Sequence, residues 1–516
     1  MNTRTIIGAV ALALSVAFPQ GANAEDVTFT TDNGDLASWG GTSGDRLRFA
    51  SSGSITATAS ANKTFNGLFM DNSNQTVTLD MREAVSGGAP RVITLDDHVY
   101  FNDAKKTQTL NIKGGRWNLA SGKNLFFRGS TAGGGMSYAN TGTSDRFNVN
   151  ITDGAVMNMN GLFVGYGPNS RSGIYVAGEG TVITTVALRV GNINACHDKI
   201  VISNGAEVVV TSTKSDNPSH FLVGYTSTVN GSRNCSLTVT GAGSRLIKPN
   251  GGLGGIGHEY SRECSLSVTD GATAEISGTL QLAGTLTQAT YGSNNVITVS
   301  GNGSSLALET LYLGFSVSNK NIHNHDNALK VLDGGVVTGD LLYTGGNGNG
   351  VVVSNATARF TKGGMRENDN QNYLGTNFYV RLQGAAPSFT TDNTARAGAR
   401  NVLYKSFRFI YDLPADGYAN GHTPVQFLWE SVTDGSLEVE VNGIEAVLQS
   451  MEQREEYRRS MVLLSAPGGW TTGHGITSAM VERWNSRLPE GGKLFYANNA
   501  LTLVVKRKAG IIISVF

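Results

Sequence analysis

The chain has 516 residues, with 66 Gly, 10 Pro, 3 Cys and 40 basic against 40 acidic side chains. Balanced charge argues against a nucleic-acid binder, which shows a basic bias. Sixteen per cent charged residues beside so much glycine describe many corners and few surface helices, and a chain this long exceeds one compact globule around one core.

Residues 1–24 read as a signal peptide: Arg4 supplies a positive n-region, Ile6 to Phe18 an apolar h-region, and Ala22-Asn23-Ala24 a cleavage site before Glu25. The apolar run is short of the roughly 20 residues of a membrane span, so cleavage, export and a secreted or cell-surface location are expected. Residues 25–148 read as an N-terminal cap and irregular β coils, with strands at Val92–Leu95, His98–Phe101 and Thr109–Ile112.

Residues 149–360 carry a phrase repeated eight times: aliphatic, any residue, aliphatic, a small or polar residue, then Asp, Asn or Gly. Its second aliphatic falls at Ile151, Val176, Ile202, Val239, Val268, Val299, Val331 and Val353. Alternating aliphatics closed by a turn residue predict strands. The step between copies wanders from 22 to 37 residues, as in a β-solenoid whose corners swell, whereas stacked helices hold a fixed period. A second phrase follows within each copy: Leu162-Phe-Val164-Gly165, Leu188-Arg-Val190-Gly191, Phe221-Leu-Val223-Gly224 and Leu311-Tyr-Leu313-Gly314, with looser copies ending at Gly257, Gly284 and Gly345. The predicted fold is all-β, a right-handed parallel β-helix. Each inward aliphatic contributes roughly 1.5–3 kcal/mol.

Residues 361–516 read as C-terminal β coils with two short helices. Strands are predicted at Phe378–Leu382, Ser406–Tyr411, Pro424–Leu428, Leu494–Tyr496 and Ala500–Val505, and helices at Ile444–Arg459 and Thr477–Leu488.

The phrases L-x-V-[TS]-[DG]-G and L-x-V-G-[YF], with the export signal and the ending from Leu488-Pro489-Glu490-Gly491 to Ser514, resemble the repeats of autotransporter passengers and PEP-CTERM-associated proteins. The resemblance implies an exported β-solenoid of a Gram-negative bacterium. Two departures from those families are the lack of a translocator of about a dozen alternating strands after residue 380, and of a closing Pro-Glu-Pro, membrane helix and Arg cluster.

Motifs that could carry chemistry each have a structural reading. Gly252-Leu-Gly254-Gly-Ile-Gly257 fits a dinucleotide fingerprint in letters, but another repeat strand follows it where a helix is required. His323-Asn-His325-Asp326 could ligate a metal and is read as a solvated loop. Gly345-Gly-Asn347-Gly-Asn349-Gly350 is read as a Gly-rich corner. Asp96, Asp97 and His98, or His258 with Glu259, are the carboxylate and imidazole groups an enzyme could use. Cys235 and Cys264 occupy equal offsets before Val239 and Val268, which predicts both inward on adjacent coils, either as stacked thiols or as a disulfide; Cys196 is offset differently. No catalytic, cofactor or metal residue is assigned. The expected function is structural or adhesive binding, to a polysaccharide or cell-surface glycan. The alternative is a polysaccharide lyase or glycoside hydrolase on the same scaffold.

Overall fold

The computed structural model describes residues 26–507 apart from 31, 51–52, 71–73, 83–90, 97–98, 102–106, 122–123, 128–145, 167–170, 193–195, 214–219, 227–230, 284–291, 315–323, 368–376, 393–400 and 405. The predicted signal peptide, Asp97, His98, Gly284 and His323 lie outside these residues.

Two long sheets run the length of the molecule. The first holds fifteen strands in sequence order, from Gly34–Asp35 to Glu438–Asn442, every neighbouring pair parallel. The eight anchor aliphatics form one rung-by-rung ladder: Ile151 opposes Val176, then Ile202, Val239, Val268, Val299, Val331 and Val353. All eight side chains are fully buried. The period-2 alternation dictates this, because it sends i, i+2 and i+4 to the same face and fixes the register wherever that face is buried. The second phrase makes a parallel ladder in the twenty-stranded second sheet, through Val164, Val190, Val223, Ile256, Leu282 and Leu313. The fold is thus nearly all-β, with long parallel sheets stacked as a β-solenoid. Rungs repeat about every 4.8 Å.

The anchor ladder passes through both 148 and 360. Upstream it continues through Ala57, Leu79 and Ile112 to Ile151, and downstream through Leu382 and Tyr411 to Val441. The coils therefore extend well beyond the stretch where the phrase is regular. The eye loses them because the chain keeps the inward apolar parity but changes the residue types.

The corner after each first-sheet strand alternates between two designs. One places Asp-Gly or Asn-Gly in left-handed backbone, at 153–154, 204–205, 270–271 and 333–334. The other reads Gly-x-Gly-Ser/Thr, at 178–181, 241–244 and 301–304. The hydroxyls of the second design join the two. Thr181, Ser244 and Ser304 each donate to a carbonyl of their own coil and accept the backbone N–H of Gly154, Gly205 and Gly271, at 3.1, 3.0 and 2.9 Å. Over this stretch the structural repeat is a pair of coils.

At the N-terminal end a small parallel sheet of Asp26–Phe29, Arg46–Phe49 and Gly67–Met70 adjoins the first coils. Trp39 packs edge-on against Phe65 and donates its indole N–H to the Val27 carbonyl. At the C-terminal end parallel pairing stops: Arg458–Ser465 and Gly492–Ala497 both pair antiparallel with Ala500–Lys506. The helix α1 spans Ile444–Gln453 and buries Ile444, Val447 and Met451. It stops short of the predicted Arg459, because Glu455 turns left-handed and the Glu456 N–H returns to the Met451 carbonyl, leaving Arg458 to start a strand. The helix α2 spans Ser478–Asn485, with Thr477 as N-cap, and buries Met480 and Trp484.

Candidate functional site

One inward position of the first sheet, four residues before each anchor, is polar through the middle of the solenoid. Reading along the axis it is Gln75, Gln108, Phe147, Ser172, Asp198, Cys235, Cys264, Asn295, Asn327 and Asn349, then Phe378, Phe407 and Leu437. All are buried. The three asparagines form a chain of amide hydrogen bonds, Asn295 Nδ2 to Asn327 Oδ1 and Asn327 Nδ2 to Asn349 Oδ1, each 3.0 Å. Each amide oxygen also accepts the backbone N–H of the preceding coil, from Cys264, Asn295 and Asn327 in turn. Asn349 Nδ2 closes the chain on the Gly345 carbonyl. A buried amide is tolerated only when satisfied in this way.

This ladder explains the glycine that ends the second phrase. Gly165, Gly224, Gly257 and Gly314 all have left-handed φ, and a Cβ on them would collide with Asp198, Cys264, Asn295 and Asn349 respectively. In the coil after Gly257 the residue at this place is Ala283, with φ 53°. Cys235 and Cys264 lie inward on adjacent rungs and are not joined by a disulfide. Contact with Cys264 and then burial push the Cys235 thiol well above its ordinary range. These groups are fully enclosed and serve the core.

The outward groups converge at the third corner of each coil, just before the first-sheet strand. Isolated parallel bridges join Cys196, Arg233, Arg262, Ser293, His325 and Asn347 in one row. The next residues, His197, Asn234, Glu263, Asn294, Asp326 and Gly348, are all left-handed. The odd cysteine, Cys196, is therefore in register with Arg233. His325 and Asp326, read from sequence as a solvated loop, form one rung of this corner with their side chains exposed, and backbone hydrogen bonds to the coils on either side fix it. His325 Nδ1 lies 2.7 Å from Asp326 Oδ2 with both side chains about half exposed. They line an open depression of about 490 Å³ with Asn347, Gly348, Asn377 and Arg408. Among the described residues no group of three His, Cys, Asp or Glu side chains is arranged to hold a metal ion.

The remaining candidates disperse. His258 is enclosed beside Tyr225, with burial holding its pKa down to about 4, and Asp96 lies far along the chain from it at the end of strand Val92–Leu95. The Gly252–Gly257 motif is part of strand Leu253–Glu259 with no helix after it. In the Gly345–Gly350 run, Asn347 is on the corner row and Asn349 on the inner ladder. No family model, no curated protein and no solved structure matches the chain.

What the surface offers is repetition. On the outer face of the first sheet, Thr78, Asn111 and Asn150 occupy successive rungs and hydrogen bond to one another at 3.0 and 2.8 Å. On the outer face of the second, Tyr312 and Tyr343 stack at 4.5 Å with planes 4° apart. Burial, followed by the Tyr343 neighbour, pushes the Tyr312 hydroxyl up to about 12. Position four before the anchor was the overlooked signal: it can be read in every copy, but an isolated Asn, Cys or Asp carries no meaning until the copies are aligned.

Proposed function

We propose that the chain is an exported β-solenoid acting as a structural or adhesive module, which binds an extended polysaccharide or cell-surface glycan along its outer ladders. The observation that carries this is the unbroken register of the first sheet over fifteen strands. One side chain per rung at fixed spacing meets a polymer with a repeated set of contacts, each weak, that add as multivalency. The sequence supports export through the Arg4, Ile6–Phe18 and Ala22–Ala24 pattern. A glycan-array screen of purified protein, with product analysis by mass spectrometry, tests the proposal. Retention of long glycans with no change in their length supports it. Release of sugar fragments that a single substitution abolishes would establish the alternative, a carbohydrate-active enzyme. Retention of no glycan at all would remove the binding role.

A further inference from the structure

The corner row changes chemistry along the axis. Over three consecutive coils it presents Cys196 and His197, then Arg233 and Asn234, then Arg262 and Glu263, with Ser293 and Asn294 beyond them; one coil before Cys196, Arg171 stands level with His197. Arg171, His197, Arg233 and Arg262 are exposed, and Glu263 is the one carboxylate among these corner residues. Lys199, exposed and resting 5.1 Å over the Tyr175 ring, adds a cation beside His197.

These arginines differ from most others on the surface. Arg82 pairs with Asp80, Arg245 with Glu207 and Glu275, Arg381 with Asp412, Arg454 with Asp416, and Arg483 and Arg487 with Glu438. Arg171, Arg233 and Arg262 have no carboxylate within ion-pair distance among the described residues, although the chain carries one acidic group for every basic one. Their backbone is not loose. The Arg262 N–H donates to the Ser232 carbonyl, and the Arg233 and Arg262 carbonyls accept from His197 and Asn234. The backbones of Arg233 and Arg262 are thus held one rung apart, about 4.8 Å along the axis, with both side chains exposed to solvent.

We infer that this corner is an anion site, and that the polymer it takes is an acidic polysaccharide carrying a carboxylate on each sugar residue. The inference rests on the polymer-binding reading above and adds the ligand class and the place. A guanidinium presents a planar pair of N–H donors that fits a carboxylate. A rung spacing close to the length of one sugar residue in an extended chain lets Arg233 and Arg262 engage consecutive carboxylates, with Arg171 two coils below Arg233.

Cys196 provides an internal probe. It is half-buried on the same row, next to Arg233, whereas Cys235 and Cys264 are enclosed. Maleimide should therefore label Cys196 alone in the folded protein.

The test measures binding of sodium alginate to the full chain by light scattering and by protection of Cys196 from maleimide. Neutral dextran and a single-stranded oligodeoxynucleotide serve as comparison polymers. Wild-type protein should bind alginate, protect Cys196, and lose affinity as salt rises. R233Q/R262Q should bind about tenfold more weakly, R233K/R262K should lose less, and R245Q, which alters an ion-paired arginine on another face, should bind as wild type. Alginate binding that R171Q/R233Q/R262Q leaves unchanged overturns the site. Binding of dextran but not alginate overturns the acidic class and leaves the polymer-binding reading standing; binding of none of the polysaccharides sinks both. Oligodeoxynucleotide bound more tightly than alginate at equal charge also overturns the assignment.

Discussion

The middle of the solenoid and its C-terminal end solve the same packing problem with different chemistry. From Asp198 to Asn349 the inner ladder is polar, its amides joined in a chain. From Phe378 onward the same position is apolar, Phe378, Phe407 and then Leu437, and aromatic rings surround it: Phe378 packs against Phe407 at 5.3 Å, Phe407 against Phe409 at 5.1 Å, and Phe409 against Phe427 of the second sheet at 5.9 Å. In the middle, each rung fixes its neighbour through directed bonds. At the end, apolar bulk fills the coil and specificity moves outward to charge: Asp412 accepts from Arg381 and Gln383 on the rung before it and from Asn442 on the rung after. Regular phrases survive where directed bonds demand the same small residues in every coil, and dissolve where packing accepts many shapes.

Substitutions that strip each region of its own device sharpen this contrast. Phe409→Ala should be the most damaging, destabilising the C-terminal coils by about 4 kcal/mol, visible as an early loss of tertiary signal in denaturant while the middle coils persist. A single transition shared by all probes would show that the two regions do not differ in this way. Asn327→Ala should cost about 3 kcal/mol, because it leaves the Asn295 and Asn349 amides, the Asn295 backbone N–H and the Gly292 carbonyl short of a partner. If Asn327→Leu, which restores volume without polarity, matches wild type in hydrogen-exchange protection of the 295–353 strands, directed bonding is not what holds the middle.

The outer carboxylate gives a pH-dependent test. Burial raises the Asp412 pKa, but hydrogen bonds from Arg381, Asn442 and Gln383 outweigh it and hold the carboxyl below its ordinary value. A folded-state pKa below the unfolded one means the unfolded chain binds the proton more readily. The stabilisation is therefore complete above the ordinary value of about 3.9 and lost as pH falls through the lowered one. Asp412→Asn should cost about 1 kcal/mol at neutral pH, a gap that narrows as pH falls below the ordinary carboxyl value and closes once the lowered one is passed, when unfolding midpoints are compared. A gap that stays constant down to pH 2 would assign the effect to packing. The smallest change should be a gain. Ala283 holds a left-handed corner that its counterparts give to glycine, so Ala283→Gly should stabilise the middle coils by about 1 kcal/mol; a lower melting midpoint would mean that the Ala283 methyl, which is buried, contributes more than its backbone costs.

Much of the architecture was legible because one physical rule repeats: inward parity every second residue. That rule placed all eight anchors on one ladder, put Cys235 and Cys264 inward one coil apart, and extended into Leu382 and Tyr411 once the pairing was seen. The corners were less legible. Left-handed backbone at His197, Glu263 and Asp326 falls at one place in successive coils, but His, Glu and Asp share no common signal that marks the place in the sequence. For the same reason His325 and Asp326 read as a loop and Arg233 and Arg262 drew no reading of their own, until the bridges put His325 and both arginines in one file.

The inner ladder has one more consequence, for assembly. Coils that share a phrase are interchangeable templates, and a growing stack could skip one and still match every anchor. The enclosed position reads Asp, Cys, Cys, Asn, Asn, Asn and then Phe in order. A stack that omitted the Asn295 coil would set Cys264 against Asn327, and one that omitted Asn349 would leave the Asn327 amide facing Phe378. Only the second leaves a buried amide short of a partner, because the asparagines make the same bonds in turn, so the enclosed position fixes where the amide chain must end rather than the order of the coils within it.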